Sequence, residues 1–350
     1  MAVDIKDAFQ KLATDERQIE STAEIIRNRV FLENTGQMFN IVPGIKGGQQ
    51  VAAMQGIEYV TRKDDGCGGT FDSPDVPALS QTWNPQLAKV GMRYCYSDLM
   101  GWFTQWGLNN GYQIKDLTDT DFAIFIEDLV SDAIQADLQR LVLLGNSDIS
   151  VDATLKDSNN AQFYDVIPSG LIKTLEYLKT ISQLADNFID LSANDQTDGA
   201  GNPDQLNFSN GYAKDLYRKL SRDIDFEEAT ILTNKKLYNN YEDYFEGLSA
   251  IDSQPGRIQN GQGQLSRAGV PILPTRNYDK WVNRDFIASY PKSFAVHTAQ
   301  SNLQVGVDSE ASLTDINFEY VGGSDEGFYI KANYMLDFKI PNPFALKAAI

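Results

Sequence analysis

One segment of this chain, from Thr118 to Leu144, carries a helical pattern long enough to constrain the whole fold. Apolar side chains recur three or four positions apart and so share one helix face: Phe122, Phe125, Ile126, Leu129, Ala133, Ile134, Leu141 and Leu144. The opposite face is mainly charged, with Glu127, Asp128, Asp132, Asp137 and Arg140. Thr118 is a typical N-cap, and Gly145-Asn146 predicts the end of the helix. At about 1.5 Å per residue the helix would be about 40 Å long.

Charge and composition exclude several classes of function. The 350 residues are 42% hydrophobic and 22% charged, a globular mixture that can bury a core. The formal net charge is −18, and none of the 30 Lys and Arg residues lies in a run longer than two. Because phosphate binding needs clustered cations, we expect no nucleic-acid groove and no binding to an anionic membrane. The apolar runs are also too short to span a bilayer.

Two features indicate the compartment. Cys67 and Cys95 are the only thiols, which is too few for a disulfide scaffold and typical of a reducing compartment. The first eighteen residues are charged throughout and lack the apolar core of a secretion signal. We therefore expect the protein to be made in the cytoplasm and to remain or assemble there.

The first ninety residues predict an arm followed by an extended excursion. Residues 1–39 contain two short helical stripes in a polar segment, too thin in apolar residues for an independent domain. Glycine and proline then punctuate short β-prone pieces from Asn40 to Gly91, which is typical of a long hairpin. Its tip, Asp65-Gly66-Cys67-Gly68-Gly69, lacks the spacing of a phosphate-binding loop.

Aromatic side chains crowd the next segment, Val90 to Gly111, around a predicted short helix: Tyr94, Tyr96, Trp102, Phe103 and Trp106. Such side chains can stack sugars or bases, or they can serve the core or a subunit contact. Because the segment holds a single basic residue, too few to hold a nucleic acid, we favour the core or a subunit contact.

The second half of the chain predicts an α/β unit and then a β hairpin. Helices are expected at 168–185, 211–222 and 235–245, the last capped by Asn234. Strands or compact pieces are expected at 229–233, 270–273, 286–290, 294–298 and 303–307, so residues 167–307 form one layered unit. Residues 316–321 and 328–340 alternate as a long antiparallel pair across a glycine-rich turn.

No catalytic or metal-binding motif is evident. His297 is the only histidine, and its neighbours form neither a nucleophile elbow nor a triad, so we interpret it as structural. One His and two Cys cannot complete a four-ligand zinc site without carboxylates. Asn194 to Gly199 superficially resembles a calcium loop, but Gln196 and Gln205 occupy ligand positions. Acidic pairs such as Glu227-Glu228 carry no glycosidase signature. We predict no cofactor, no metal and no enzymatic activity.

The order of these parts resembles one known family. A polar arm, a glycine-punctuated excursion, an aromatic segment, a long helix, an α/β insertion and a returning hairpin are similar to the major capsid proteins of tailed bacteriophages. This is the Hong Kong ninety-seven capsid fold, which encapsulins share. The likeness covers nearly the whole chain, but it is one of architecture, because the family has no invariant peptide.

The resemblance implies an α+β fold with four parts. Residues 1–39 would be the N-terminal arm, and 40–91 the extended β loop that lies over a neighbouring subunit. Residues 92–166 and 312–350 would form the peripheral domain with the spine helix at 118–144, and residues 167–311 the axial domain. The apolar face of the spine helix should then pack on the terminal hairpin, while its acidic face meets solvent or a neighbour.

The implied function is that of a shell subunit. Many copies, as pentamers and hexamers, would form the icosahedral capsid of a tailed phage in the host cytoplasm and enclose its double-stranded DNA. Scaffolding, portal and head-decoration proteins are further candidate partners. The candidate interface residues are Ile57, Tyr59, Lys63, Phe71, Trp83, Trp102 and Trp106. Two alternatives stay open: an α/β enzyme that uses carboxylates, and an encapsulin-like cargo compartment.

Overall fold

The computed structural model describes residues 38–54, 78–111, 119–152, 154–191, 208–222, 228–246, 265–267, 269–275, 277–287, 290–307, 317–321 and 327–350. The helices are α1 (Tyr96–Asn109), α2 (Asp119–Leu144), α3 (Ile149–Asp152), α4 (Ala161–Tyr164), α5 (Leu171–Lys179), α6 (Tyr212–Arg222), α7 (Lys235–Glu246) and α8 (Tyr278–Asp285). The strands are β1 (Asn40–Pro43), β2 (Gln50–Met54), β3 (Ala78–Thr82), β4 (Gln86–Tyr94), β5 (Phe188–Ile189), β6 (Ala229–Asn234), β7 (Ser266–Arg267), β8 (Val270–Thr275), β9 (Ala295–Ala299), β10 (Gln304–Val307), β11 (Asn317–Val321), β12 (Gly327–Lys339) and β13 (Leu346–Ala349). The α+β class predicted from the sequence is confirmed.

The strands form two larger sheets and one separate ribbon. In the first sheet β12 pairs antiparallel with β4, β10 and β11, and β10 also pairs parallel with β1. The second sheet has the strand order β5-β13-β9-β6-β8-β7. Strands β2 and β3 pair with each other as a two-stranded sheet, which we call the ribbon.

The terminal hairpin predicted from the sequence is confirmed as β11 and β12. Alternate side chains of β12 enter the core, because successive residues of a strand point to opposite sides; they are Phe328, Ile330, Ala332, Tyr334, Leu336 and Phe338. The other side of β12 is exposed along its first half and covered at its end, where Asp337 and Lys339 are buried.

The long helix predicted from the sequence is confirmed as α2, and its predicted cap Thr118 lies outside the described residues. Most of its predicted apolar face is buried, while Leu129 and Ala133 are only half-buried. The amphipathic pattern missed further buried side chains: Val130, Leu138, Val142 and Leu143. The last turn of α2 is buried on all sides because it enters the middle of the molecule. It therefore has no polar face, and the sequence shows no amphipathic pattern there.

Helix α2 and strand β12 share one hydrophobic core. Helix α2 contacts α1, α4, α5 and α8, and α5 in turn contacts β12. Burial raises the pKa of the Tyr334 phenol, and the charge of Asp137 on α2 raises it further. The spine helix and the terminal hairpin thus share one core, with α5 contacting both, and direct packing of the helix on the hairpin stays a prediction. Asp132 on the opposite helix face is exposed.

Several strands pair outside the segment in which the sequence placed them. Strand β10 was expected within the α/β unit, but it pairs with β12 in the first sheet. Strand β1 joins the same sheet, whereas residues from Asn40 onward were expected to belong to the excursion. Strand β13, which the sequence did not reveal, lies inside the second sheet between β5 and β9. Phe286 makes only an isolated bridge, to Leu155, in place of the compact piece expected at 286–290.

Helix α7 is capped from another element, which corrects the cap predicted at Asn234. The Asn234 side chain instead donates to Asp279 Oδ1 at 2.8 Å and accepts from the Phe294 amide at 3.3 Å. Asp279 Oδ2 accepts the Lys236 amide of the first turn at 3.0 Å. A carboxylate at a helix N-terminus satisfies an unpaired amide and favours the helix dipole. Residue spacing alone cannot show a cap that comes from α8.

Two glycines let α2 and the start of α5 approach closely. The Gly170 amide donates to the Gly145 carbonyl at 2.7 Å. A Cβ on Gly170 would lie 2.7 Å from the Gly145 nitrogen and 2.8 Å from the Val142 carbonyl oxygen. A Cβ on Gly145 would lie 2.8 Å from the Ile167 Cβ. Because the obstructing atoms are mainly backbone, neither position can accept a larger side chain without moving the crossing.

We expect Gly170→Ala to lower the free energy of unfolding by about 1–3 kcal/mol, the usual range for overpacking a tight contact. The matched control is Gly101→Ala in the exposed part of α1, where a Cβ would meet nothing within 4 Å. That change should stabilise the helix by about 0.5–1 kcal/mol. Urea unfolding followed by circular dichroism measures both. Equal unfolding midpoints for the two variants would contradict the tight crossing.

Candidate functional site

His297 has no access to substrate. It lies in β9, is 1% exposed, and its Nδ1 is 3.0 Å from the Leu220 carbonyl oxygen. Its strand neighbours across the sheet are Ile231 and Lys347, neither of which is the Ser or Cys that a histidine base would activate. A general base must reach the proton that it removes from a substrate. The structural role expected for this histidine agrees with its position inside the second sheet.

A metal centre is not evident among the described residues. Within them, no group of three or more His, Cys, Asp and Glu side chains could hold a metal ion. Cys95 is exposed as a free thiol, whereas Cys67, the glycine-rich tip and the loop at 194–199 lie outside these ranges. No helix in the described ranges is long and apolar enough to cross a membrane.

One buried carboxylate, Asp285, carries a dense set of polar contacts. Its Oδ2 accepts from the Tyr164 hydroxyl at 2.6 Å, and Arg284 donates to both of its oxygens at 2.6 and 2.8 Å. Arg140 of α2 lies 3.9 Å away and stacks over the Phe163 ring at 3.8 Å. These contacts join α2, α4 and α8 at one point.

The electrostatics of Asp285 indicate a structural role. Burial alone would raise the pKa of its carboxyl, but hydrogen bonds from Arg284 and Tyr164 and the charge of Arg140 hold it below its ordinary value. Burial and the hydrogen bond to Asp285 raise the pKa of the Tyr164 phenol. A general base works best with a pKa near the operating pH. The pKa of Asp285 is lowered, which moves it further from neutral pH, so its carboxylate serves as a fixed negative charge between helices.

The structure places the predicted interface residues in different surroundings. Ile57, Tyr59, Lys63 and Phe71 lie outside the described residues. Trp102 on α1 is 45% exposed and meets Tyr94 edge to face at 5.4 Å.

The other two predicted tryptophans contact their own chain. Trp106 is half-buried, and its indole nitrogen donates to Asp128 at 3.4 Å. Trp83 is 2% exposed, so its indole serves the core of its own chain and is not available to a neighbour.

Trp83 closes the base of the ribbon, which comprises Gly48, Gln49, Trp83 and Asn84 beside β2 and β3. The Gly48 amide donates to the Trp83 carbonyl at 2.9 Å, and the Trp83 amide donates to the Gln49 carbonyl at 2.9 Å. The Trp83 ring and Ile45 rest on Gly306 of β10, where a Cβ would lie 2.6 Å from each of them. Glycine at 306 therefore lets the ribbon base lie flat on the first sheet.

The Asp337 carboxylate holds the ribbon base to β12 through a hydrogen bond. It is fully buried, and its Oδ2 accepts the Asn84 amide at 2.7 Å. Its Oδ1 accepts from the Lys339 ammonium at 3.1 Å and the Phe338 amide at 2.8 Å. Gln81 of β3 also donates its side-chain amide to the Ile340 carbonyl at 2.8 Å. Buried charge is tolerated because each Asp337 oxygen has a partner.

Sequence reasoning missed Ile45, Gly306, Asp337 and Lys339 at this base. The one available signal was the pair Asp337 and Lys339 within the apolar end of β12, since charge in a buried strand demands a partner. That signal does not identify the partner, because Asn84 contributes only its backbone.

The ribbon above this base has largely exposed sides. Met54 at the end of β2 is 71% exposed, and alternate residues of β3 are exposed. One side of the ribbon thus lies on its own chain, where Ala53 is 6% exposed and Leu79 packs against the core, while the other side presents surface outward.

No family model matches the chain, and no curated protein matches its sequence. Among solved structures, a chain of the satellite phage P4 procapsid is similar over 94% of this chain and 97% of its own, at 12% identity and a TM-score of 0.49. The capsid of phage XM1 is similar over 91% of each chain, at 10% identity and a TM-score of 0.45. The holo-SrpI encapsulin complex from Synechococcus elongatus is similar over 91% of this chain and 87% of its own, at 9% identity and a TM-score of 0.43. Capsids and encapsulins are the two groups named from the order of parts in the sequence.

We expect Trp83→Ala to cost about 3–5 kcal/mol of unfolding free energy, as large core truncations do. Trp102→Ala is the matched control, because it removes the same side chain from a site that is 45% exposed. It should cost less than half as much. Urea unfolding of the free subunit gives both values, and equal losses would argue against Trp83 as the core residue of the ribbon base.

Asp285→Asn should lower the unfolding free energy by about 3 kcal/mol near neutral pH, because it leaves Arg284 and Tyr164 without their anion. Since the folded-state pKa of Asp285 is lowered, its stabilisation is present above about pH 4 and is lost as the pH falls through that folded-state value. The difference between wild type and variant should therefore shrink in acid.

Asp148→Asn provides the control for this change. The Asp148 side chain is 65% exposed and pairs with Lys173 at 3.8 Å, so we expect a loss below about 1 kcal/mol. Denaturant unfolding at a series of pH values measures both variants. A gap between wild type and Asp285→Asn that stays constant into strong acid would refute the proposed role.

Proposed function

We propose that this protein is the subunit of an icosahedral capsid shell of a tailed bacteriophage, which encloses packaged double-stranded DNA. The ribbon carries the proposal. A two-stranded sheet is marginally stable in water on its own. Here Asp337 and Trp83 hold its base to the core, while Met54 at its upper end is 71% exposed. Such an extension gains stability by lying on a neighbouring copy.

A shell of many copies explains why the chain has long extensions. Each subunit of a closed shell meets several neighbours, and long arms provide contact area without one large globular interface. On this proposal residues 1–39 are the arm and 40–91 the extended loop. Residues 92–166 and 312–350 form the peripheral domain, and 167–311 the axial domain. Strand β10 of the axial range pairs with β12 of the peripheral range, and β13 of the peripheral range pairs with β5 and β9 of the axial range. The two domains would therefore move as one unit.

Charge supports the proposed content of the shell. A wall with a net charge of −18 per subunit does not gain the counterion release that drives nonspecific DNA binding. Packed DNA would therefore be confined without adhering to the wall. We assign the subunit no catalytic role and no cofactor, and we place it in the virion after assembly in the host cytoplasm. Scaffolding, portal and head-decoration proteins are its proposed partners beside many copies of itself.

Among the predicted interface residues that the structure describes, we keep Trp102 as a proposed subunit contact, because nearly half of its side chain is exposed. Ile57, Tyr59, Lys63 and Phe71 remain proposed contacts within the extended loop. Trp83 is not proposed as a subunit contact, since the core of its own chain already buries it.

Shortening the extended loop tests the proposal. Replacing residues 55–77 by a short Asn-Gly turn keeps β2 and β3 paired, because this dipeptide favours a tight hairpin. The wild type should form rings or closed shells in negative-stain electron microscopy and size exclusion. The shortened chain should keep its circular dichroism spectrum and unfolding midpoint but remain a free subunit.

The outcomes separate the alternatives. A wild-type chain that stays a compact monomer at every salt concentration would overturn the shell proposal and leave the enzyme as the better explanation. Shells that close without phage partners and co-purify with a protein cargo would favour an encapsulin-like compartment. Assembly of the shortened chain at wild-type concentration would exclude the loop as the subunit contact.

A further inference from the structure

Positive charge gathers on one side of the first sheet, although the chain as a whole is acidic. Directly opposite residues in antiparallel strands share a side, and successive residues alternate. The opposed pairs are Arg93 with Tyr329, Gly91 with Lys331 and Lys89 with Asn333. We call the side that carries Lys89, Arg93 and Lys331 the basic face.

An aromatic ring organises two of these cations. The Arg93 guanidinium lies 5.5 Å from the centroid of the Tyr329 ring, and the Lys331 ammonium lies 5.9 Å from it. Both distances are within the usual range of cation–π contacts, about 6 Å. Glu319 Oε2 lies 2.6 Å from the Lys331 ammonium, and Asp337 at the far end of the same side is buried beside Lys339. Lys89 and Arg93 are exposed, so the face keeps a positive balance.

The basic face points away from the core of its own chain. The opposite side of the same strands is buried, as Ala88, Ile330 and Ala332 show. Helix α2 shares that core and so lies on the buried side of the sheet. The cations of the basic face cannot reach the carboxylates of α2 in the same subunit.

Helix α2 offers the complementary charge. Between Asp119 and Gln139 it contains six acidic residues and no Lys or Arg. Asp121, Asp128 and Asp132 are seven and four positions apart, which places them on one side of the helix. Asp132 is exposed. We call this side the acidic face.

We propose that the basic face of one subunit docks on the acidic face of α2 in a second copy of the chain. This contact rests on the shell function proposed above and specifies one of its interfaces. The two surfaces differ, so the contact is heterologous, and repeating it builds a ring or an open array in place of a closed pair. Opposite charges steer the encounter and set its orientation.

The net charge argues for a second copy over a nucleic acid. A polyanion approaching the basic face would also meet the field of a chain with a net charge of −18. An acidic helix of a second copy brings its carboxylates to the same place on a surface of defined shape. Because such pairs lie near solvent, added salt should weaken the contact.

Charge reversal and its rescue test this contact. The paired change Lys89→Glu and Arg93→Glu reverses the basic face, and Asp128→Lys with Asp132→Lys reverses the acidic face. Each pair should raise the subunit concentration at half assembly by about tenfold or more at physiological ionic strength. The four changes together restore complementarity and should return it to within about threefold of wild type. Lys280→Glu, an exposed reversal on α8, is the control and should change little.

The measurements are light scattering and electron microscopy for assembly, with circular dichroism to show that every variant folds. The contact is overturned if either paired reversal assembles as the wild type does, or if the fourfold variant folds but does not recover assembly. Both outcomes leave the shell function standing. If the wild type itself never assembles, the shell function fails instead. A basic-face variant that assembles normally but loses affinity for double-stranded DNA would reassign the face to nucleic acid.

Discussion

The hydrogen bonds along β12 hold together segments that lie far apart in the sequence. One stretch of this strand, from Phe328 to Lys331, pairs with β4 on one edge and β11 on the other, and its last residues pair with β10. Its inward side chains belong to the same core as α2. Its outward side contributes Asp337 to the ribbon base and Lys331 to the basic face. A disturbance of β12 would therefore reach the core, the ribbon and the outer surface together.

Charge is used in two different ways on the same sheet side. At one end Asp337 and Lys339 are buried, and their cost is offset because every Asp337 oxygen accepts a hydrogen bond. At the other end Arg93 and Lys331 remain in solvent beside Tyr329, where attraction is weak for any single pair but adds up over a surface. The first arrangement fixes the position of the ribbon, and the second leaves cations exposed at the surface.

Local patterns predicted the elements well and their long-range partners poorly. The period-two alternation of 328–338 and the apolar stripe of α2 follow from single segments, and both elements appear where expected. The pairing of β1 with β10 and the insertion of β13 depend on which sheet edges remain open, and no local pattern contains that information. The same holds at the ribbon base, where Trp83 is a surface candidate by composition and a core residue because Gly306 leaves room for it.

The ribbon base is closed by residues from distant parts of the chain. Asn84 and Asp337 are 253 positions apart, and Gln81 and Ile340 are 259 positions apart. Ordering a loop of this length has an entropic cost that only the completed contacts offset. During synthesis, residues 45–84 leave the ribosome long before β12 exists to receive them. The ribbon therefore gains its fixed orientation only after β12 has been made, so under the proposed shell function the subunit would engage neighbours only after this late contact has formed.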